Sequence, residues 1–116
     1  MKKILVVDDE ENIRELFREE LEEMGYEVTT AAGGPQALVI MDSKKFDLVT
    51  LDIRMPEMDG LETLGKIKEK DSTLPVILCT AYPEYKQDFG SWSSDAYVVK
   101  SSDTTQLRET VKKLLG

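Results

Sequence analysis

Asp8, Asp9, Asp52, Thr80 and Lys100 are the residues of this chain best suited to do chemistry together. Each follows a short, largely apolar run. Ile4-Leu5-Val6-Val7 ends in Asp8-Asp9, Leu48-Val49-Thr50-Leu51 in Asp52, Val76-Ile77-Leu78-Cys79 in Thr80, and Ala96-Tyr97-Val98-Val99 in Lys100. Three carboxylates brought together repel unless a cation joins them, and an all-oxygen acidic set suits a hard ion such as Mg²⁺. With a lysine and a hydroxyl beside them, these are the parts needed to hold a phosphoryl group with its metal.

Residues so far apart in sequence meet only if the runs are strands of one parallel sheet. Short apolar runs separated by helix-like stretches read that way. In such sheets the carboxyl ends of the strands share an edge, and ligands bind there. The intervening stretches agree. Ile13, Leu16, Phe17, Leu21 and Met24 recur at helical spacing, and Gly25 terminates them. Tyr26, Val28 and Thr30 alternate with polar neighbours as a second strand. Pro35 suits the first turn of a helix that turns Ala37, Leu38 and Met41 inward. A third strand spans residues 46–51. Asp59 with Glu62 resembles a capping box opening a helix with Leu61, Leu64 and Ile67 on its buried stripe. Asp103 with Gln106 fits the start of a last helix, which carries Leu107, Val111, Leu114 and Leu115. Residues 82–94, with Pro83, Gly90 and three serines, leave room for about two helical turns.

The bulk composition narrows the function. At 116 residues the chain is one domain with a real core, and 41% apolar with 33% charged residues reads as globular. A net charge of −8 argues against phosphate-backbone and anionic-membrane binding. With no histidine and the single Cys79, histidine-based acid–base chemistry, thiolate zinc sites and internal disulfides are excluded. The four-residue apolar run after Lys2-Lys3 is too short for a signal or membrane segment, so the protein reads as cytoplasmic.

Four pieces carry a family resemblance: Val6-Val7-Asp8-Asp9-Glu10; Leu51-Asp52-Ile53-Arg54-Met55-Pro56-Glu57-Met58-Asp59-Gly60; Thr80-Ala81; and Tyr97-Val98-Val99-Lys100. In this order and spacing the chain resembles the receiver domain of two-component response regulators, the CheY-like superfamily, over residues 1–116. The resemblance implies an α/β fold of the (βα)₅ flavodoxin-like kind. Its five-stranded parallel sheet has the order 2-1-3-4-5, with helices on both faces. It implies that Asp52 accepts a phosphoryl group from a phosphohistidine on a sensor histidine kinase or a histidine phosphotransfer protein. By the same resemblance Asp9, Asp52 and the backbone carbonyl of Arg54 ligate Mg²⁺, and Asp8 acts through water. Lys100 pairs with the phosphoryl oxygens, Thr80 hydrogen-bonds to one of them, and Tyr97 is the aromatic that follows Thr80 in the switch. Such a domain is a phosphoacceptor rather than a conventional enzyme, and it regulates a partner or an attached output domain.

Two departures stand out. The family usually has proline after the lysine, where this chain has Ser101, so a trans bond or a strained loop are both open. The stretch from Thr80 to Lys100 is also about two residues short, within the fourth helix. Plainer roles fit other residues. Asp47 reads as solvated, Asp59 as a cap, Cys79 as core, and the Glu19-Glu20 and Glu22-Glu23 runs as exposed helix face. A metal-dependent phosphohydrolase of the haloacid dehalogenase type shares the strand-end aspartate, Mg²⁺ and lysine. It needs Asp-x-Asp where this chain has Asp8-Asp9, and a cap for which there is no room. An interaction module independent of phosphorylation is the third reading, opposed by the intact acids and lysine. No P-loop or G-x-G-x-x-G pattern supports nucleotide binding.

Overall fold

The structure, a computed structural model, describes residues 1–81, 94–101 and 103–116. Strands β1 (Lys3–Val7), β2 (Glu27–Ala31), β3 (Leu48–Asp52), β4 (Val76–Thr80) and β5 (Ala96–Val99) form a single sheet. Its order is β2-β1-β3-β4-β5 and every pairing is parallel. The chain leaves β1 toward β2 on one side and later returns to place β3 on the other. The topological switch point therefore lies between β1 and β3, above which Asp8, Asp9 and Asp52 emerge.

Four helices lie among the described residues: α1 (Glu11–Glu23), α2 (Gly34–Ser43), α3 (Gly60–Lys70) and α4 (Thr105–Leu115). Strand alternation divides the core into two faces. On one face, Phe17 and Leu21 of α1 and Leu107 and Val111 of α4 pack on Ile4, Val6, Leu48, Ile77 and Val98. On the other, Ala37 of α2 and Leu64 and Ile67 of α3 pack on Leu5, Val7, Val49, Leu51 and Leu78. All five residues of β3 and of β4 are buried, which explains why those strands read as continuous apolar runs.

Local chemistry sets the helix ends. α1 stops in a Schellman motif: Gly25 at φ +96° donates to the Glu22 carbonyl, and Tyr26 N–H donates to that of Leu21. Asp59 caps α3, its carboxylate accepting Glu62 N–H at 2.9 Å. α4 departs from expectation, since Thr104 and not Asp103 is its N-cap residue. Asp103 instead closes a turn one residue early, accepting both the N–H and the hydroxyl of Thr105. β3 also begins at Leu48 rather than at residue 46, and it runs on through Asp52, which pairs with Cys79. Phe46 packs against the core edge ahead of the strand, with the Lys44 ammonium 5.7 Å above its ring. The expected short helix within residues 82–94, with its aromatics, falls almost wholly outside the described residues.

Candidate functional site

β1 and β3 carry the acids into one place because Val7 pairs with Leu51, so the residues that follow them leave the sheet side by side. Lys100 arrives from β5, where its N–H donates to the Thr80 carbonyl at 2.7 Å and continues the ladder past the last strand residue. By alternation Asp8, Asp52 and Lys100 share the α1–α4 face with Val6, Cys79 and Val98. Thr80 and Tyr97 belong to the register of the opposite face, where Tyr97 packs against the core cluster that holds Leu78.

Lys100 is the hub. Its ammonium lies 2.7 Å from Asp8 Oδ2, 3.3 Å from Asp52 Oδ2 and 3.5 Å from Glu10 Oε1. The side chains of Lys100, Asp8 and Asp52 are only 8%, 2% and 4% exposed, so this is a buried charge cluster opening at one end to solvent. Asp8 uses both its oxygens, the second accepting Glu10 N–H at 2.9 Å. The Arg14 guanidinium on α1 reaches back to the Asp8 carbonyl at 2.8 Å and ties the helix to the strand end. Asp9, by contrast, is exposed.

Burying this much negative charge perturbs its proton affinity. Burial first, and then the neighbouring Asp8 charge, push the Asp52 carboxyl up to about 7 despite Lys100, and contact with Asp9 adds to the rise. Asp8 is raised by burial, which outweighs its bond to Lys100. Burial pulls the Lys100 ammonium down, but Asp8 and Asp52 overcome that and hold it above its ordinary value. Cys79, directly beside Asp52 on β4, is driven far up by burial first and by the Asp8 charge next, so it stays a neutral core thiol.

The loop after β3 is shaped by a close approach. A Cβ on Gly60 would fall 2.1 Å from the Asp52 carbonyl oxygen and 2.6 Å from Ile53 Cα, while Gly60 N–H donates to the Ile53 carbonyl. Glycine thus lets the start of α3 press on the backbone that presents Asp52. Between them Met58 N–H bonds to the Pro56 carbonyl around Glu57 at φ +69°, a γ-turn. This loop and Asp9 line a cleft of about 430 Å³ that also takes in Arg54 and Asp59. One carboxylate oxygen each from Asp8, Asp9 and Glu10 lies within 4.8 Å of the others, a hard all-oxygen donor set that fits a divalent cation.

The structure therefore gathers Asp8, Asp9, Asp52 and Lys100 as expected and sets Thr80 next to them by its backbone. Asp47 lies elsewhere, accepting Lys3 N–H at 2.8 Å, and Asp59 is a helix cap. Glu10, present only as the end of the first motif, and Arg14, outside every motif, carry contacts to the site that were not read from the sequence. Their signal is placement at the start of a helix that begins directly after Asp8-Asp9, Glu10 just ahead of α1 and Arg14 inside it. The Lys100–Ser101 bond is trans, and Ser101 Oγ accepts Asp103 N–H at 3.1 Å, so a hydrogen-bonded turn supplies restraint at the position where the resembling family has proline.

Residues 4–112 match the response regulator receiver domain family. The response regulator protein TrrA from Thermotoga maritima, solved in complex with Mg²⁺ and BeF, is 54% identical with a TM-score of 0.95, covering 98% of this chain and 99% of that one. The same regulator has been solved in complex with the histidine kinase ThkA, with a TM-score of 0.93 and all of both chains covered. Sporulation initiation phosphotransferase F of Bacillus subtilis is 40% identical over 98% of this chain and 94% of its own. Alkaline phosphatase synthesis transcriptional regulatory protein PhoP of the same organism is 36% identical, but the chain spans only 48% of its length.

Proposed function

The chain belongs to the response regulator receiver domains, and from that premise we propose that residues 1–116 form one cytoplasmic phosphoacceptor switch. Asp52 takes a phosphoryl group from a phosphohistidine on a histidine kinase or phosphotransfer protein. The observation that carries this reading is the Lys100 ammonium bridging two buried carboxylates, Asp8 at 2.7 Å and Asp52 at 3.3 Å, at the open end of the sheet. An oxygen of Asp52 bonds to phosphorus while the phosphorus–nitrogen bond breaks, and its electron pair stays on the leaving imidazole. A carboxylate needs no base for this step, only an ionised state and a donor held in line. Lys100 already stands beside the attacking carboxylate and meets the charge on the phosphoryl oxygens. Asp8 fixes that lysine, and Arg14 and Gly60 fix the two strand ends. Asp9, Asp52 and the Arg54 carbonyl would hold Mg²⁺, with Asp8 behind a water; when bound, the ion offsets the charge shared by carboxylates and phosphoryl oxygens.

Thr80 then hydrogen-bonds to a phosphoryl oxygen, and its movement lets Tyr97 shift on the opposite face, where a partner or output domain reads the state. No described helix is long and apolar enough to cross a membrane. The protein assists its own phosphorylation and turns over no separate substrate. Incubation with acetyl phosphate and Mg²⁺ followed by intact-mass measurement tests the reading: one phosphoryl group is gained, and Asp52→Asn gains none. A fully labelled Asp52→Asn variant refutes it. Asp9→Ala weakens Mg²⁺ binding far more than Asp47→Ala, and equal effects refute the cation site.

A further inference from the structure

Lys100 has three ammonium protons and three carboxylates around it. Two of these partners are buried and belong to the phosphoacceptor centre. The third, Glu10, is different: its side chain is 63% exposed, it sits just ahead of α1, and it reaches Lys100 from the solvent side at 3.5 Å. A phosphoryl donor also reaches Lys100 from solvent, past the buried Asp8 and Asp52. Glu10 is also held in place, since its N–H is bonded to Asp8 Oδ1 and its carbonyl accepts from Ile13 and Arg14. Its backbone is therefore fixed while its side chain stays exposed.

Resting on the phosphoacceptor reading above, we propose that Glu10 is a positioning residue for Lys100. It holds the ammonium toward solvent and competes with the incoming phosphoryl oxygens for the same proton. Uptake requires this pair to open, so Glu10 slows phosphorylation at Asp52 through its reach to Lys100 rather than through its charge alone. The contact is long and exposed on one side, so its effect is that of a surface ion pair. Releasing it speeds uptake about two- to five-fold.

The test compares initial rates of phosphoryl gain from acetyl phosphate by intact mass, at Mg²⁺ saturating for each protein, in the parent, Glu10→Gln, Glu10→Asp and Glu11→Gln. Glu10→Asp keeps the charge but is one methylene too short to hold Lys100. Glu11 is exposed and adjacent with no contact to Lys100. Both Glu10 variants are expected to gain about two- to five-fold, with Glu11→Gln at the parent rate. Three results overturn the proposal: Glu10→Gln at or below the parent rate, Glu10→Asp at the parent rate while Glu10→Gln is faster, or an equal gain in Glu11→Gln. The first leaves the phosphoacceptor reading intact; the second and third assign the effect to net charge. A parent protein that gains no phosphoryl group refutes the underlying reading instead, and the proposal with it.

Discussion

Replacing Asp52 by asparagine is expected to stabilise the cation-free protein, and to do so only as the pH rises. In the folded chain burial and Asp8 lift the Asp52 carboxyl from 3.8 to about 7. A carboxyl raised on folding binds its proton more tightly in the native state than in the unfolded one. Its contribution is therefore most favourable below about pH 4, declines from about pH 4 to about pH 7, and then stays level. Each tenfold change in proton affinity is worth about 1.4 kcal/mol, so the full rise caps the penalty at about 4 kcal/mol. The cluster opens to solvent at one end, and relaxation there brings the expected figure to about 2 kcal/mol. Asparagine keeps the shape without the charge. Urea unfolding in EDTA should find Asp52→Asn and the parent close together near pH 4.5, and the variant more stable by about 2 kcal/mol at pH 8, roughly 8 °C in Tm for a chain this long. Mg²⁺ at ten times its dissociation constant should narrow the gap by about 1.4 kcal/mol, because the ion binds the ionised set. A variant no more stable than the parent at pH 8, or a gap of equal size at both pH values, refutes the reasoning.

Three further expectations follow from single contacts. Thr50 Oγ1 is buried with no hydrogen-bond partner among the described residues, so Thr50→Val should raise stability by about 1 kcal/mol in urea unfolding. Gly60→Ala drives a methyl group into the Asp52 backbone; it should cost about 2–3 kcal/mol and slow phosphoryl uptake, as unfolding and intact-mass kinetics on the same variant would show. Thr80→Ala should still accept a phosphoryl group on Asp52 but shift the Tyr97 resonances less on adding beryllofluoride, since a charge-assisted hydrogen bond of roughly 1.5–3 kcal/mol is gone; an undiminished response refutes the Thr80–Tyr97 coupling.

Much of the fold was legible because its three central strands, β1, β3 and β4, are buried on both faces. Such strands must be apolar along their length, and they stand out against the 3.6-residue stripes of α1, α3 and α4. Boundaries were less legible. Phe46 looks like strand but packs ahead of it, and Asp103 looks like a cap but serves a turn one residue earlier. Phe46 found a tertiary contact that local propensity does not encode, and Asp103 took a local side-chain–backbone turn that competes with capping.

From the residue order alone one reads which groups come together at the sheet edge. Acids, hydroxyl and lysine at the carboxyl ends of apolar runs must meet once those runs pair in parallel, whatever the details of packing. The environment of each group emerges only with the folded sheet. Asp8 and Asp9 are adjacent and chemically identical in the sequence. In the fold one is buried and spent on Lys100 and Glu10 N–H, and the other faces the cleft where a cation can enter. The reason is that successive side chains at a strand end point in opposite directions, and which of them meets Lys100 depends on the register of β5 against β4. The proton affinity of Asp52 has the same origin. It depends on burial and on a carboxylate 44 residues away in the chain, and neither exists until the sheet has formed.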